Sequence, residues 1–545
     1  MKNFQVIIPA AGKATRMRPL SSGVSKCMIP VNGKPIISYI IDKLFDLGNP
    51  IDIVIVHNEL NDVKEFVANT YPQMYEESRI VFAEQKNPKG PLHAIEIGAK
   101  KLVTNQMYLH HTLIGEKNKM PILVWLGDTI CLEDFDINKS FLATSTVDDY
   151  SRWCLVDDEC NFYDKPEVAP RTNQALIGIY NFCNPNLFFN SLKKGMKMPT
   201  IKNEHQISSL LDSYISNGGF FELQNTEEWY DCGELQTFYE SKARLLNNSA
   251  RSFNQISVDT FLGTVTKTSD DKQKQDKIQQ EKDWFISLPD NIALFCPRIL
   301  PSDYGVLKMS HEPGTALSEM WIYENMRFEN WTQVIDKILK IHNTVFLDRV
   351  QNINSRDAMK EMYLQKNLKR FDNIIETFPE FENTELVKNF IKTTAADLIE
   401  TTPVWSKYFH GDSHLGNILF EPLHGGIKFV DPRGAFGNLK GSQGDLRYDM
   451  AKLVQDFYLR YAEIVAGNYY IDSDDSIKFF KGDELTNKII KHIKNKLTEY
   501  GYDWEQIFRL SILLIITCIP FHSDNPERQR AFWKIATEKI KVFAY

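Results

Sequence analysis

Five short β-branched runs punctuate the first 240 residues: QVIIPA (5–10), IDIVIV (51–56), RIVFAE (79–84), ILVWLGD (122–128) and ALIGIYNF (175–182). Between them lie amphipathic stretches with helical spacing, PIISYIIDKLFDLG (35–48) and PLHAIEIGAKKL (91–102) the clearest. Strand–helix alternation predicts an α/β domain, a Rossmann-like mixed and mostly parallel sheet with helices on both faces, because parallel neighbours need a crossover to bring the chain back. Ligands bind such sheets beyond the carboxyl ends of the strands. Polar residues just after a strand are therefore the ones to follow.

The pattern changes at LQTFYESKARLLNNSARS (235–252), which reads as a helix running into a polar joint, and the first domain is bounded at residues 1–247. SVDTFLGTVTKTS (257–269) then reads as two strands, DDKQKQDKIQQ as a charged turn into a helix, and FCPRIL and YGVLKMS as further strands. From about residue 312 the spacing is mainly helical, with strands returning at NILF and IKFVD (427–431). This predicts a small β-rich lobe, 248–311, ahead of a larger helical lobe, 312–545, with a ligand held between the lobes. At roughly 100–200 residues per domain, 545 residues suggest three or four folding units.

Composition excludes several classes. With 43% hydrophobic and 25% charged residues the chain is not pervasively disordered. A net charge of −8 without a long Lys/Arg block argues against nucleic acid as the main partner, while leaving room for small phosphorylated ligands. Eight cysteines without a CxxC pair argue against structural zinc and a disulfide framework. MKN runs straight into FQVIIPA, unlike a secretory signal, and FRLSILLIITCIPF (508–521) reads as a buried helix, too short to span a membrane. The expectation is a cytoplasmic protein without membrane insertion, and a possible homo-oligomer.

Two polar clusters carry the chemistry. In IIPAAGKATRMRPL (7–20) a strand ends at Pro9, and Ala10, Ala11 and Gly12 are small enough for backbone amides to approach an anion. Lys13, Arg16 and, ten residues on, Lys26 add positive charge. Asp128 follows an apolar strand and Asp231 a short aromatic run, so two carboxylates at strand ends could hold Mg²⁺ against phosphate oxygens.

This region resembles the nucleotidyltransferases that join an NTP to a sugar 1-phosphate or a phosphoalkylamine and release pyrophosphate. The carrying motifs are AAGKATRMRP with SKCMIPVNGKP, EQKNPKGPLHA (84–94), WLGDTI, YDKPE (163–167) and WYDCG, in that order. The resemblance implies that Arg16 with Ala11, Gly12 and Lys13 holds the triphosphate and that Lys26 stabilises the reacting α-phosphoryl group. It implies that Gln85 and Gly90 contact the base, Asp128 and Asp231 bind Mg²⁺, and Lys165 holds the incoming phosphate. Three positions depart from the family pattern. Ala14 replaces a usual Gly, SKC replaces PKP, and Asp164 replaces a Glu that contacts a sugar hydroxyl.

The second cluster is YFHGDSHLGNILF (408–420), followed by Asp431 in FVDPRG. A phosphoryl acceptor needs a carboxylate to orient its hydroxyl, and nucleotide phosphates need metal ligands such as an Asn oxygen and a second Asp. His410 is expected to brace the loop, and His414 is either a participant or a solvated bystander. The stretch resembles the catalytic loop of the aminoglycoside phosphotransferase and choline kinase family, protein-kinase relatives, over roughly 255–455. The resemblance implies Asp412 as catalytic base, Asn417 and Asp431 as Mg²⁺ ligands, Lys267 as the phosphate-contacting strand lysine and Glu281 as its helix partner. YGVLKMS would line the adenine, Arg433 is placed to meet substrate, and Asp445 and Asp449 are expected to be structural.

Together these readings predict a bifunctional enzyme. ATP would phosphorylate a small hydroxyl compound, and a second NTP (CTP, UTP or GTP) would activate that phosphate, as in polysaccharide precursor synthesis. The acceptor is a sugar phosphorylated at its anomeric carbon, the preferred reading, or an amino alcohol such as choline. Trp284, Trp321, Trp331 and Trp405 would allow an aromatic cage for the latter. A non-catalytic sensor would require lost catalytic groups, and antibiotic phosphorylation would leave the first domain without a purpose.

Overall fold

The register of the first strand organises the first half of the chain. In β1 (Asn3–Pro9), Val6 and Ile8 face one side of a sheet and Ile7 the other, as period-2 alternation requires. The same division splits Ile53 and Ile55 from Val54 and Val56 in β2 (Asn49–His57). On one face α1 (Ile36–Leu47) buries Ile36, Ile37, Ile40, Ile41 and Leu44. On the other lies α2 (Pro91–Asn105), which follows β3 (Ile80–Glu84) and buries Leu92, Ile95, Ala99 and Leu102. A sheet covered on both sides has to be apolar on both, and these strands are.

The computed structural model describes all residues except 1, 13, 19, 22–23, 61, 78, 106–118, 249–254, 260, 313, 324–325, 422–423, 473–475 and 543–545. The chain divides into two compact units, Met1–Leu245 and Leu246–Tyr545. Length alone suggested three or four; the second unit is larger than that arithmetic assumes because its helices share one hydrophobic cluster.

In the first unit the sheet continues through β4 (Ile122–Trp125), β6 (Phe141–Thr146), β7 (Cys154–Val156), β8 (Phe162–Asp164), β9 (Gln174–Phe182) and β10 (Glu222–Asn225). The main path runs β8-β7-β9-β4-β1-β2-β3, with β6 pairing β9 and β10. Strands β1, β2, β3 and β4 are mutually parallel, and β9 is antiparallel to β4. The chain thus goes from β1 to β2 and β3 on one side, then returns to place β4 on the other. That is a topological switch point, and it opens a crevice at the carboxyl ends of β1 and β4. A separate ladder joins β5 (Thr129–Cys131) to β11 (Trp229–Asp231).

The second unit opens with an antiparallel sheet of β12 (Gln255–Asp259), β13 (Thr264–Thr268), β14 (Ile299–Leu300) and β15 (Leu307–Ser310), in the order β12-β13-β15-β14. Helix α3 (Lys272–Ile286) follows β13, and Trp284 on it donates Nε1–H to the Phe409 carbonyl at 2.7 Å. The helical part includes α4 (Phe328–Ile341), α5 (Lys366–Thr377), α6 (Thr384–Glu400), α7 (Leu446–Tyr458) and α8 (Trp504–Cys518). The hairpin β16 (Ile418–Glu421) and β17 (Gly426–Phe429) lies between α6 and α7. The apolar run around residues 508–521 belongs to a helical span, Trp504–His522, that is by length and composition sufficient to cross a membrane. The sequence expectation that it is too short is corrected. Packing is what places it, since Ile507, Leu510, Leu513 and Ile516 lie within the core cluster.

Candidate active sites

At the switch point, the loop after β1 and the turn after β4 meet edge to edge. Gly127 donates N–H to Pro9 O at 3.0 Å, and a side chain at 127 would crowd Ala10 and Pro9 at about that distance, so glycine eases the approach. A side chain at Gly12 would meet nothing within 4 Å; the backbone there faces open cleft. Ala11, Gly12, Arg16, Lys26, Gln85, Gly90, Asp128 and Lys165 all line one cavity of about 640 Å³. Gln85 follows β3, is buried, and is held by its Nε2 2.9 Å from His93 Nδ1. Gly90 has φ +103°, and a Cβ there would collide with the His205 backbone at 2.7 Å. Lys13 lies outside the described residues.

A smaller adjoining chamber of about 160 Å³ shares Arg16, Asp128 and Lys165 and adds Asp164, Arg152 and Asp231. Asp164 accepts from Ser208 Oγ at 2.8 Å. The β5–β11 ladder sets Asp231 opposite Thr129, the residue after Asp128, so residues a hundred apart in sequence reach one cavity. The cleft therefore has two compartments joined where Asp128, Arg16 and Lys165 stand.

Charge is unevenly balanced there. Lys26 Nζ donates to Asp128 Oδ2 at 2.5 Å. Burial pushes the Asp128 carboxyl up, but Lys26 overcomes this and holds it below the ordinary range. Asp231 is raised, by burial first and then by Asp128. Arg152, 3.1 Å from Glu234 and 3.5 Å from Asp231, is partly occupied by Glu234, which also pairs with Arg16. Two carboxylates in mutual repulsion beside open cleft suit a hard divalent cation whose shell is completed by phosphate oxygens, so Asp128 and Asp231 fit Mg²⁺. Arg152 and Glu234 were not singled out in the sequence. Glu234 directly follows the Asp231–Gly233 motif that could have signalled it, whereas Arg152 sits in a short turn, Tyr150–Arg152, that carries no motif.

Residues 5–248 match the nucleotidyl transferase family. UTP–glucose-1-phosphate uridylyltransferase AglF of Haloferax volcanii is 28% identical over 257 residues, which cover 46% of this chain and 99% of that protein. Bifunctional protein GlmU of Methanococcus aeolicus is 25% identical over 249 residues, 45% of this chain and 55% of that protein. A solved UDP-glucose pyrophosphorylase complexed with UDP-glucose is 23% identical, covering 46% of this chain and 100% of that one, with a TM-score of 0.36. The nucleotidyl transferase region thus spans the whole cleft described above and ends with the helix Leu235–Asn248.

Beyond the nucleotidyl transferase region, the second cluster also assembles. The hairpin β16–β17 brings Asn417, just before it, near Asp431, just after it, and Val430 donates N–H to Asn417 O at 3.0 Å. Asn417 Nδ2 donates to Asp412 O at 2.9 Å, which commits its amide nitrogen and leaves its oxygen as the acceptor. Lys267 Nζ lies 2.7 Å from Glu281 Oε2 and 2.9 Å from Asp431 Oδ1. Burial would lower Lys267, but Asp431 and Glu281 together raise it; Glu281 is raised by burial and then by Asp431. The donor set of Asn417 and Asp431 beside a recessed Asp412 again fits Mg²⁺ with phosphates.

Asp412 owes its charge to Lys452 of α7, whose Nζ is 3.0 Å from Oδ1; burial opposes this, yet the carboxyl is held well below the ordinary range. Asp449 accepts from His410 N (3.1 Å), Gly411 N (2.8 Å) and Ser413 Oγ (3.1 Å), and Asp456 accepts from Leu415 N. One helix therefore holds the loop by two buried carboxylates. Asp445 is structural, buried against Arg447 and Tyr363. His410 is sealed in, and its Nδ1 accepts from Asp412 N at 3.3 Å. His414 is no solvated bystander: its Nδ1 accepts from Gly416 N at 3.0 Å and its ring meets Tyr461 edge-on at 5.4 Å. The four tryptophans form no cage. Trp284, Trp321, Trp331 and Trp405 are core residues, Trp321 donating to Glu463 Oε2 at 3.1 Å, so the apolar bulk that suggested a cage is spent on packing.

Proposed function

We propose that the chain phosphorylates a small hydroxyl compound with ATP in residues 246–545 and, in residues 5–248, transfers a nucleotidyl group from a second NTP to that phosphate, releasing pyrophosphate. The preferred acceptor is a sugar at its anomeric position, giving an NDP-sugar. The names of the relatives, UTP–glucose-1-phosphate uridylyltransferase among them, support the sugar phosphate side. The amino-alcohol alternative loses its main support with the buried tryptophans. The observation that carries the reading is that each unit holds a lysine–carboxylate contact at the mouth of a strand: Lys26 with Asp128, and Lys267 with Asp431.

In the first unit Gln85 and Gly90 receive the base, the amides around Ala11 and Gly12 with Arg16 receive the triphosphate, and Lys165 with Asp164 presents the acceptor phosphate from the smaller chamber. Attack on the α-phosphorus builds negative charge, which Lys26 offsets after exchanging Asp128 for phosphate oxygen. Asp128 and Asp231 would hold Mg²⁺, which when bound screens the triphosphate charge and lowers the cost of the displacement. In the second unit Asp412 orients the acceptor hydroxyl and takes its proton, Lys267 steadies the nucleotide phosphates, and Asn417 and Asp431 would hold the metal.

Incubation with ATP, Mg²⁺ and each of CTP, UTP and GTP, with pooled sugars and amino alcohols, tests this by mass analysis of the products. Asp128→Asn is expected to accumulate the phosphomonoester without nucleotide product. Asp412→Asn is expected to form nucleotide product only when the phosphomonoester is supplied, its ATP step slowed by at least about 10²-fold. Loss of both steps in either variant would refute the division of labour.

A further inference from the structure

Three cations of the second unit crowd together, and no carboxylate is ion-paired to any of them among the described residues. Lys366 and Arg370 sit one turn apart on α5, a like-charge i,i+4 pair that destabilises a helix when nothing anionic lies by it. Arg370 donates Nη1–H to Thr517, Oγ1 at 2.8 Å and O at 3.3 Å, with its guanidinium 4.5 Å from the Phe521 ring centre. Arg433 donates Nη1–H to Tyr448 OH at 2.7 Å. Burial first, then Arg433 and Arg370, push the Lys366 ammonium down to about 8; Glu361 on the preceding turn offsets this only in part, and exposed Lys277 adds to it. Three positive groups, all partly buried, lie close enough to repel one another, and none has an ion-paired carboxylate among the described residues.

The cluster adjoins Asp412. Arg433 donates its backbone N–H to His410 O at 2.8 Å, and a side chain at Gly411 would meet Arg433 Cβ at 2.8 Å. Tyr448, which steadies Arg433, precedes by one turn of α7 the Lys452 that pairs with Asp412. The nucleotide-phosphate groups, Lys267, Glu281 and Asp431, come instead from β13, α3 and the end of β17, and Lys366 and Arg370 share no hydrogen bond or ion pair with them. Arg433, which helps hold the Asp412 carboxyl down, thus links that residue to the two cations of α5.

We propose that the acceptor phosphorylated by this unit carries an acidic group, a carboxylate or a phosphate, beside its reacting hydroxyl, and that Lys366, Arg370 and Arg433 bind that group. The inference rests on the kinase reading above and narrows its substrate class to hydroxy acids and monophosphates, sugar-derived ones included. Guanidinium forks match carboxylate and phosphate geometry, and a quaternary ammonium would be repelled. In the transfer the acceptor oxygen bonds to the γ-phosphorus, the bond to the β,γ-bridging oxygen breaks, ADP leaves, and the hydroxyl proton passes to Asp412.

The test compares kcat/KM of the full chain, with ATP and Mg²⁺, on matched compounds: glucose, glucuronate and glucose 6-phosphate; glycerol, glycerate and glycerol 3-phosphate; and choline. An acidic member is expected to be preferred over its neutral partner by about tenfold or more, carboxylate and phosphate arms showing which acid is read. Lys366→Met and Arg370→Gln should each erase the preference by raising KM for the acid while leaving KM for ATP in place. Lys366→Met should melt no lower than the parent, because a like-charge pair is relieved, whereas Arg370→Gln gives up its Thr517 bonds and is read by its KM pattern alone. Independently of turnover, inorganic phosphate should raise the melting temperature of the parent more than that of the double variant. Preference for a neutral or cationic compound, or equal phosphate shifts, overturns the inference and leaves the kinase reading standing. No ATP-dependent turnover on any compound overturns both.

Discussion

Ala14 occupies backbone space that glycine takes without strain. Its φ of 49° and ψ of 34° are left-handed, and its carbonyl accepts from Ser21 Oγ at 2.7 Å and from Met17 N at 2.9 Å, which lock the turn before Arg16. An L-residue there costs about 1 kcal/mol, and the entropy glycine adds to the unfolded chain takes back part of it. Ala14→Gly should therefore raise the unfolding free energy of the first unit by roughly 0.5 kcal/mol in urea titrations; a lower stability would show that the turn is not strained. The family pattern has glycine at this position, and the chain accepts the left-handed region with alanine. Lys26 makes a second prediction. It is the main group holding the Asp128 carboxyl down. In Lys26→Met that carboxyl ionises at higher pH, so the acid limb of nucleotidyl transfer should move upward in pH, with kcat reduced about 10²- to 10³-fold. An unmoved limb would assign it to another group. Asp128 and Gln85 were legible because each lies just past a strand, and Asp231 because it ends one. Arg152 was not, because its turn meets Asp231 only in the folded chain, 79 residues on.

At the scale of elements, period and punctuation located the strands well, since β1, β2, β3, β4 and β9 each bury apolar side chains on both faces. What periodicity could not reveal is how a helix ends. Helix α4 runs into a π-helical turn, His342–Phe346, that carries His342 into the core with both ring nitrogens unpartnered. Its ring packs 5.2 Å from Phe346 and 5.1 Å from Phe429, and its Nδ1 stands 4.0 Å from Asp449 Oδ2. Burial pushes His342 down to about 3 and His410 to about 4, so both are neutral in the fold. Their folded values lie below the unfolded one near 6.5, so the stability they allow is complete above that pH and is lost as pH falls toward 4. Asp449, raised by burial to about 7, works in the opposite sense over the same window. His342→Phe isolates one contribution. It removes two unsatisfied nitrogens and a group that resists protonation, so the melting temperature should rise more at pH 5 than at pH 8. An equal change at both would mean that His342 is not the acid-labile group.

Across the whole molecule, the change from strand–helix alternation to helical spacing falls near the division between the two compact units. Counting residues overstated the number of units, because one hydrophobic cluster runs from Ile278 through Ile540 and leaves no gap for a further domain. The more consequential feature is where each polar cluster draws its members. Every residue placed in the nucleotidyl transferase cleft lies between Ala11 and Glu234, and every one placed in the second site lies between Lys267 and Asp456. On the proposed function, each step then depends on the carboxylate of its own unit, Asp128 for nucleotidyl transfer and Asp412 for phosphorylation. Chains carrying Asp128→Asn and chains carrying Asp412→Asn, mixed in equal amounts with ATP, Mg²⁺, the second NTP and acceptor, should therefore make the nucleotide product. The rate should fall only as far as the dilution of each intact site dictates, with the phosphomonoester detectable free in solution as it passes between molecules. A mixture far slower than that, or one in which no free phosphomonoester can be trapped, would mean that the intermediate has to be handed over within one chain.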